Sequence, residues 1–313
     1  MNKRIFAITL AFVCVFGCVF ALTLKEEKSI SVTDGNAFYS FTDSLGNEVT
    51  LAKKPERVAV LFSSLCNVWK NAGGESFITV GESIDRGFYD EEILLVDSGA
   101  GKSINTELLI SYEPDFVIYS SDVPAQKECG KLLEKAGIPS AAIRLDSFED
   151  YLSALRIFCD ITEKDENYRL YGESIRKEIE AIKSKALSQS KQPEILFIRS
   201  GSSASSCKAK KAEDNFAAEM LRDLGCTNIA DKAPLLLDGI STETVLKENP
   251  DFIFISLMGN EEAGRAFMDK TLQSDTWQDL ADRAVYLPKE LFQYKPCERW
   301  AEAYRYLYEK LYV

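Results

Sequence analysis

The chain has 313 residues, 46% of them hydrophobic and 27% charged, the make-up of a globular protein with room for two domains. Its net charge of −12 argues against a general nucleic-acid or anionic-membrane binder, since both need basic surface. It contains no histidine, which excludes Ser-His-Asp and Cys-His catalytic sets and imidazole-bound zinc, and leaves any acid–base chemistry to carboxylates or lysines.

The N-terminus carries a processing signature. Met1-Asn2-Lys3-Arg4 is basic, residues 5–22 are uncharged and mostly apolar, and Lys25-Glu26-Glu27-Lys28 follows. This reads as a secretory signal or a marginal membrane anchor over residues 1–22. Val15-Phe16-Gly17-Cys18 resembles a bacterial lipobox, in which Cys18 is lipidated and becomes the new N-terminus. Lipoprotein, cleaved secretion and retained anchor all place the body of the protein outside the cytoplasmic membrane. Residues 23–40 are polar and are expected to form a flexible tether.

Residues 41–51 hold β-formers on both sides of Gly46-Asn47, which predicts a small hairpin. Residues 58–62, VAVLF, predict a short buried parallel strand. Ser63 and Ser64 are expected to cap a helix over 65–71 that ends at Gly73-Gly74. A helix over 106–112, a strand over 116–119, a helix over 126–136 and a strand over 141–143 continue an alternating order, which means a parallel sheet covered by helices. Residues 147–188 have little Gly or Pro, and Ile175, Ile179 and Ile182 share one helical face. They predict a long, rigid helical brace. After Pro193 a second β/α series begins with EILFI at 194–198.

The second series repeats the first. NTELLISYEPDFVIYSS at 105–121 and STETVLKENPDFIFISL at 241–257 share Thr-Glu, and seven residues later Pro-Asp-Phe, at a shift of 136 positions. Glu107 pairs with Glu243, Asp115 with Asp251. The chain is therefore read as two related α/β lobes. Each glutamate falls in the first turn of a predicted helix, where the positive helix end favours a carboxylate. Equivalent acids on two lobes also suit docking onto a two-fold partner with basic sockets.

Other motifs carry less. Ser98-Gly-Ala-Gly-Lys-Ser103 looks like a phosphate loop but has Val96 where the pattern needs glycine. Eight cysteines stand at 14, 18, 66, 129, 159, 207, 226 and 297. The six beyond the leader have no C-x-x-C spacing, which disfavours a metal cluster. Buried free thiols are expected, with disulfides formally open. Trp69, Trp277 and Trp300 sit in helical patterns and are expected in the core.

Several pieces in order resemble the substrate-binding proteins of ABC importers for cobalamin, haem and ferric siderophores. They are D-x-x-G-N-E-V-T-L-x-x-x-P-x-R-V at 43–58, the two T-E-x₆-P-D segments, the brace, G-C-T-N-I-A-D at 225–231, and L-P-x-x-L-F-Q-Y-K-P at 287–296. The resemblance implies a bilobed α/β fold: two Rossmann-like lobes with parallel sheets, at 41–146 and 191–313, joined by one long rigid helix within 147–190. It implies that Glu107 and Glu243 pair with arginines of a permease dimer driven by an ATPase, and that ligand sits between the lobes. It also implies no bond-making chemistry and no cofactor; a monomer is expected.

Loops after the strands supply the expected cleft residues Ser63, Ser64, Cys66, Arg86, Tyr119, Arg199, Met258 and Tyr294. Cys66 and Met258 are equally read as packing residues. Aromatics and arginines there suit a flat or catecholate-rimmed anionic iron complex. Cys207-Lys208-Ala-Lys210-Lys211 either adds positive charge near the cleft or is a solvated basic turn. The expected ligand is a ferric siderophore-like chelate. A corrinoid or haem is the alternative within the class. An exported enzyme and a sensory lipoprotein are the rival classes.

Overall fold

The computed structural model describes residues 37–313, which form one compact unit. The leader, Cys18 and the tether up to residue 36 lie outside the described residues. The first domain starts before residue 41, because β1 (Tyr39–Thr42) already pairs antiparallel with β2 (Glu48–Leu51). Gly46 turns the hairpin at φ +84°, in the left-handed region that glycine adopts without penalty.

Two five-stranded sheets follow. The first is all parallel, in the order β5 (Leu94–Leu95), β4 (Ile78–Thr79), β3 (Val58–Val60), β6 (Phe116–Ser120), β7 (Ser140–Ile143). The second runs β10 (Thr227–Asn228), β8 (Glu194–Ser200), β11 (Phe252–Leu257), β12 (Ala284–Tyr286), also parallel. To its fifth strand, β9 (Cys207–Ala209), β8 pairs antiparallel. The expected basic turn is thus an edge strand, with Cys207 and Ala209 buried and Lys208 set opposite Arg199.

The two sheets share a register. Val58 lies opposite Phe116 and Ile195 opposite Phe252, so β3/β6 and β8/β11 are the same pair built twice. The repeated Pro-Asp explains itself here. Asp115 accepts the backbone N–H of Glu56 at 2.9 Å and of Arg57 at 2.8 Å, just before β3. Asp251 accepts the N–H of Glu194, the first residue of β8, at 3.0 Å, and Lys191 Nζ at 2.6 Å. Each aspartate fixes the entry of the neighbouring central strand. Before each Pro-Asp stands a left-handed residue, Glu113 (φ 51°) or Asn249 (φ 48°), that turns the chain out of its helix. Arg57 and Arg283 then close the two turns by donating to the carbonyls of Glu113 and Pro250.

Alternation along the strands builds one core under both sheets. Val58, Val60, Phe116 and Ile118 of the first sheet, and Ile195, Phe197 and Phe254 of the second, belong to one apolar cluster with the connecting helices. The intervening residues face outward into separate cores, Ala59, Leu61, Val117 and Tyr119 on one side and Leu196, Ile198, Ile253 and Ile255 on the other.

The connection between sheets is two helices, not one. Phe148–Thr162 opens with a capping box at Ser147/Asp150 and ends at left-handed Glu163. Asp165–Tyr168, a π-helical stretch Arg169–Glu173 and Ser174–Leu187 then run on without a cap between them. In that stretch a Cβ on Gly172 would lie 3.2 Å from Leu152 Cδ2, so glycine lets the two helices pack closely. The remaining expectations concern single residues. Ser63 and Ser64 do not cap: the helix is Ser63–Asn71, its N-cap position is Phe62, and both hydroxyls accept from Arg86. Trp69, Trp277 and Trp300 are buried, and six cysteines are buried free thiols.

Replacing Asp115 or Asp251 by Ala is expected to lower unfolding stability by about 1–2 kcal/mol, because charge-assisted bonds at a strand entry are lost and partial exposure weakens them. The hydrogen bond from Lys191 holds the Asp251 carboxyl below its ordinary range against the effect of burial. A depressed carboxyl stabilises the fold above its unfolded pKa, about 3.9, and loses that contribution as pH falls through the folded value. Chemical denaturation at several pH values should therefore show the gap between wild type and Asp251→Asn to be constant near neutrality and to shrink below about pH 4. Gly130→Ala should destabilise although alanine is the better helix former, since its Cβ would lie 2.4 Å from Tyr119 Oη. A melting temperature at or above wild type would refute that packing.

Candidate functional site

In open parallel sheets ligands bind beyond the C-terminal strand ends, where neighbouring connections diverge. Here the corresponding ends of both sheets open onto one cavity of about 550 Å³. From the first sheet come Phe62, just past β3, and Arg144, Asp146, Ser147 and Asp150, past β7. From the second come Arg199 of β8, the segment 212–216, and Glu219, Arg222, Gln293 and Lys295. A second cavity of about 390 Å³ lies along the same seam, between Arg86 and Phe88 on one side and Tyr294 and Lys295 on the other.

The main cavity is charged. Arg144, Arg199, Arg222 and Lys295 face Asp146, Asp150, Glu213, Asp214 and Glu219. Most of the cations are already engaged. Lys295 Nζ is 2.8 Å from Asp146 across the seam, Arg144 Nε is 3.3 Å from the same carboxylate, and Arg222 reaches Glu213 and Glu219 at 3.4 and 3.3 Å. Burial pushes the Asp146 carboxyl up, but Lys295 and Arg144 outweigh it and hold it below the ordinary range. Burial, aided by Asp223, raises the Glu219 carboxyl.

Arg199 is different. Among the described residues its guanidinium has no ion pair and no hydrogen-bond acceptor, and burial lowers its pKa. Its direction follows from strand parity: it continues the Ile195–Phe197 row, which faces the shared core, and emerges past that row into the cavity. Beside it, Gln293 Oε1 is a buried acceptor with no partner among the described residues. One free guanidinium is what this cavity offers a ligand without rearrangement.

The C-terminal segment locks the seam. Arg86 donates to Ser63 Oγ at 2.9 Å and Ser64 Oγ at 3.0 Å, and its guanidinium lies 4.7 Å from the Phe88 ring centroid and 4.4 Å from that of Tyr294. Glu298 accepts from Asn71 at 2.9 Å, and Cys297 Sγ donates to the Ser64 carbonyl at 3.5 Å. Beneath them Trp300, 1% exposed, meets Phe148 and Phe216 edge-on at 5.7 Å each.

Against the sequence reading, the expected cleft residues separate into groups. Arg199 lines the main cavity; Arg86 and Tyr294 line the second. Ser63 and Ser64 are buried and spent on Arg86. Cys66 is fully buried, bonded to Thr79 and Ser83, with its thiol pushed up to about 11 by burial, so packing is its role. Tyr119 occupies the opposite face of its sheet, against Cys129 and Gly130, and opens on a groove between the hairpin and helix Pro124–Lys135. Met258 donates its N–H to Ser200 and lines neither seam cavity. Arg144 and Asp146 were missed, although they follow β7 directly and the same strand-end rule covers them. The segment 212–216 was missed because β9, which delivers it, has no alternating run long enough to announce a strand.

The paired acids stand at helix N-termini. Glu107 lies in the first turn of helix Thr106–Ser111, capped by Asn105, whose N–H donates to Val96 just past β5. Glu243 lies in the first turn of helix Thr242–Glu248, capped by Ser241. Both are exposed, and neither side chain has a partner among the described residues. The glycine-rich loop at 98–103 has its amides filled by its own chain: Asp97 accepts Gly99 N–H at 3.1 Å and Gly101 N–H at 2.6 Å, where a phosphate would have to sit.

No curated protein sequence matches this chain. Solved structures do. An ABC transporter substrate-binding protein from Listeria monocytogenes EGD-e superposes with a TM-score of 0.68 at 16% identity, covering 83% of this chain and 99% of that one. SirA from Staphylococcus aureus, complexed with staphyloferrin B, gives 0.67 at 16% identity, covering 87% and 98%. IsdE from S. aureus, complexed with heme, gives 0.65 at 15% identity, covering 82% and 99%. At such identities the likeness is one of fold. The family model described as periplasmic binding protein spans residues 58–285, both sheets from β3 into β12, and the chain belongs to that family.

Proposed function

We propose that this protein captures an iron chelate of the ferric-siderophore kind outside the cytoplasmic membrane and hands it to an ABC importer. Members of its family are exported substrate-binding proteins that work with a permease and an ATPase and are not enzymes. The observation that carries the ligand reading is the cavity at the joint C-terminal ends of the two sheets, where Arg199 stands without a partner among the described residues. Its volume of about 550 Å³ lies in the range of small-molecule sites. That SirA was solved with staphyloferrin B supports an iron chelate.

Haem is the second reading, supported by the heme complex of IsdE. The lining argues against it: Phe62, Phe216 and Ala212 are its only apolar side chains among the described residues, too few to cover a porphyrin face. A corrinoid remains within the importer class. Cys18 is the proposed lipid anchor.

Glu107 and Glu243 are the proposed contacts to basic sockets of the permease dimer. Their exposure and lack of internal partners suit that role, because an acid already paired within the chain would have to break that pair to dock.

Arg199→Ala should weaken the chelate by roughly 10- to 100-fold, as expected for losing a charge-assisted contact of about 1.5–3 kcal/mol. Titration by tryptophan quenching with ferric siderophores, haemin and cobalamin checks both this and the ligand class. The double variant Glu107→Arg/Glu243→Arg should keep ligand affinity and lose uptake in cells. Normal transport by that variant would remove the docking role.

A further inference from the structure

We infer that the cleft selects ferric chelates of low net charge, neutral tris-hydroxamate complexes above all, over trianionic tris-catecholate complexes. The inference rests on the iron-chelate reading and names the ligand class within it. A ferric tris-hydroxamate is neutral, because three singly charged groups balance the metal. A tris-catecholate carries surplus negative charge on its whole surface.

The cavity walls hold four cations against five carboxylates. Adding the second seam cavity does not reverse the balance, since its further cations Arg86, Lys289 and Arg299 are equalled in number by Asp85, Glu290 and Glu298. A trianion entering the main cavity finds one cation without an ion pair among the described residues, Arg199. To gain more it must draw Lys295 or Arg144 from Asp146, or Arg222 from Glu213. Each exchange leaves a carboxylate facing the anion at close range, where like charges are costly and water is partly excluded. A neutral chelate meets none of this. Arg199 can donate to its metal-bound oxygens.

Calorimetry on the purified protein with gallium complexes of a tris-hydroxamate and a tris-catecholate, equal in metal charge and inert to reduction, tests the inference. The hydroxamate complex should bind at least about tenfold more tightly. Its affinity should change less than about twofold between low and physiological salt, as for an uncharged ligand. In Glu213→Gln/Asp214→Asn the ratio of the two affinities should move toward the catecholate by roughly tenfold. Equal or tighter catecholate binding by the wild type overturns the charge selection and leaves the iron-chelate reading standing. Binding of neither complex, with haemin or cobalamin bound instead, overturns both.

Discussion

The shared apolar core is the constraint on which the rest of this molecule depends. In a two-domain protein each lobe ordinarily closes its own core, and a thin interface lets the lobes swing. Here alternate residues of β3 and β6 pack into the same cluster as alternate residues of β8 and β11. Helices Phe148–Thr162 and Ser174–Leu187 and the C-terminal helix Trp300–Tyr312 fill the space between. Opening the seam by a large angle would bare Phe148, Phe216 and Trp300 to water, at about 25 cal/mol per Å² of apolar surface. The cleft is therefore largely preformed, and affinity comes from the groups it already presents.

Much of the fold was legible because it is written twice. The T-E-x₆-P-D-F repeat marked two equivalent strands, and the structure gives each of its letters work. Glutamate stands in the exposed first turn, a left-handed residue precedes the proline, and aspartate ties down the next strand's entry. Repeats of this kind are readable because backbone hydrogen bonding is local and the same local problem recurs in each lobe. The exposed Glu107 and Glu243 were readable for the same reason.

The cleft was less legible, for two physical reasons. Strand parity is decisive: Tyr119 is one residue from the shared-core row of Phe116 and Ile118, so it points the other way, while Arg199 follows Ile195 and Phe197 and points in. Ion pairing was the other. Arg144, Lys295 and Asp146 are more than a hundred residues apart at the extremes, and nothing local says that they neutralise one another. Aromatics and arginines in the strand-end loops suit an anionic complex when read from sequence alone. The folded geometry turns most of those charges inward onto carboxylates. The helical brace was recognised from its lack of Gly and Pro, but its break at Glu163 was not, because a left-handed glutamate carries no compositional signal.

The seam makes recognition and lobe contact one electrostatic problem. Lys295 comes from the segment after β12 and Asp146 from the segment after β7, so their pair bridges the two sheets at the mouth of the cavity. Lys295 also lies 4.8 Å from the Phe216 ring, which meets Trp300 in the core. A ligand oxygen that takes Lys295 must compete with Asp146, and one that takes Arg144 competes with the same carboxylate. Arg199 can be engaged without breaking any ion pair of the cavity wall. The arrangement thus separates a cation that binds from cations that hold, and only the former is free to report on the ligand's charge.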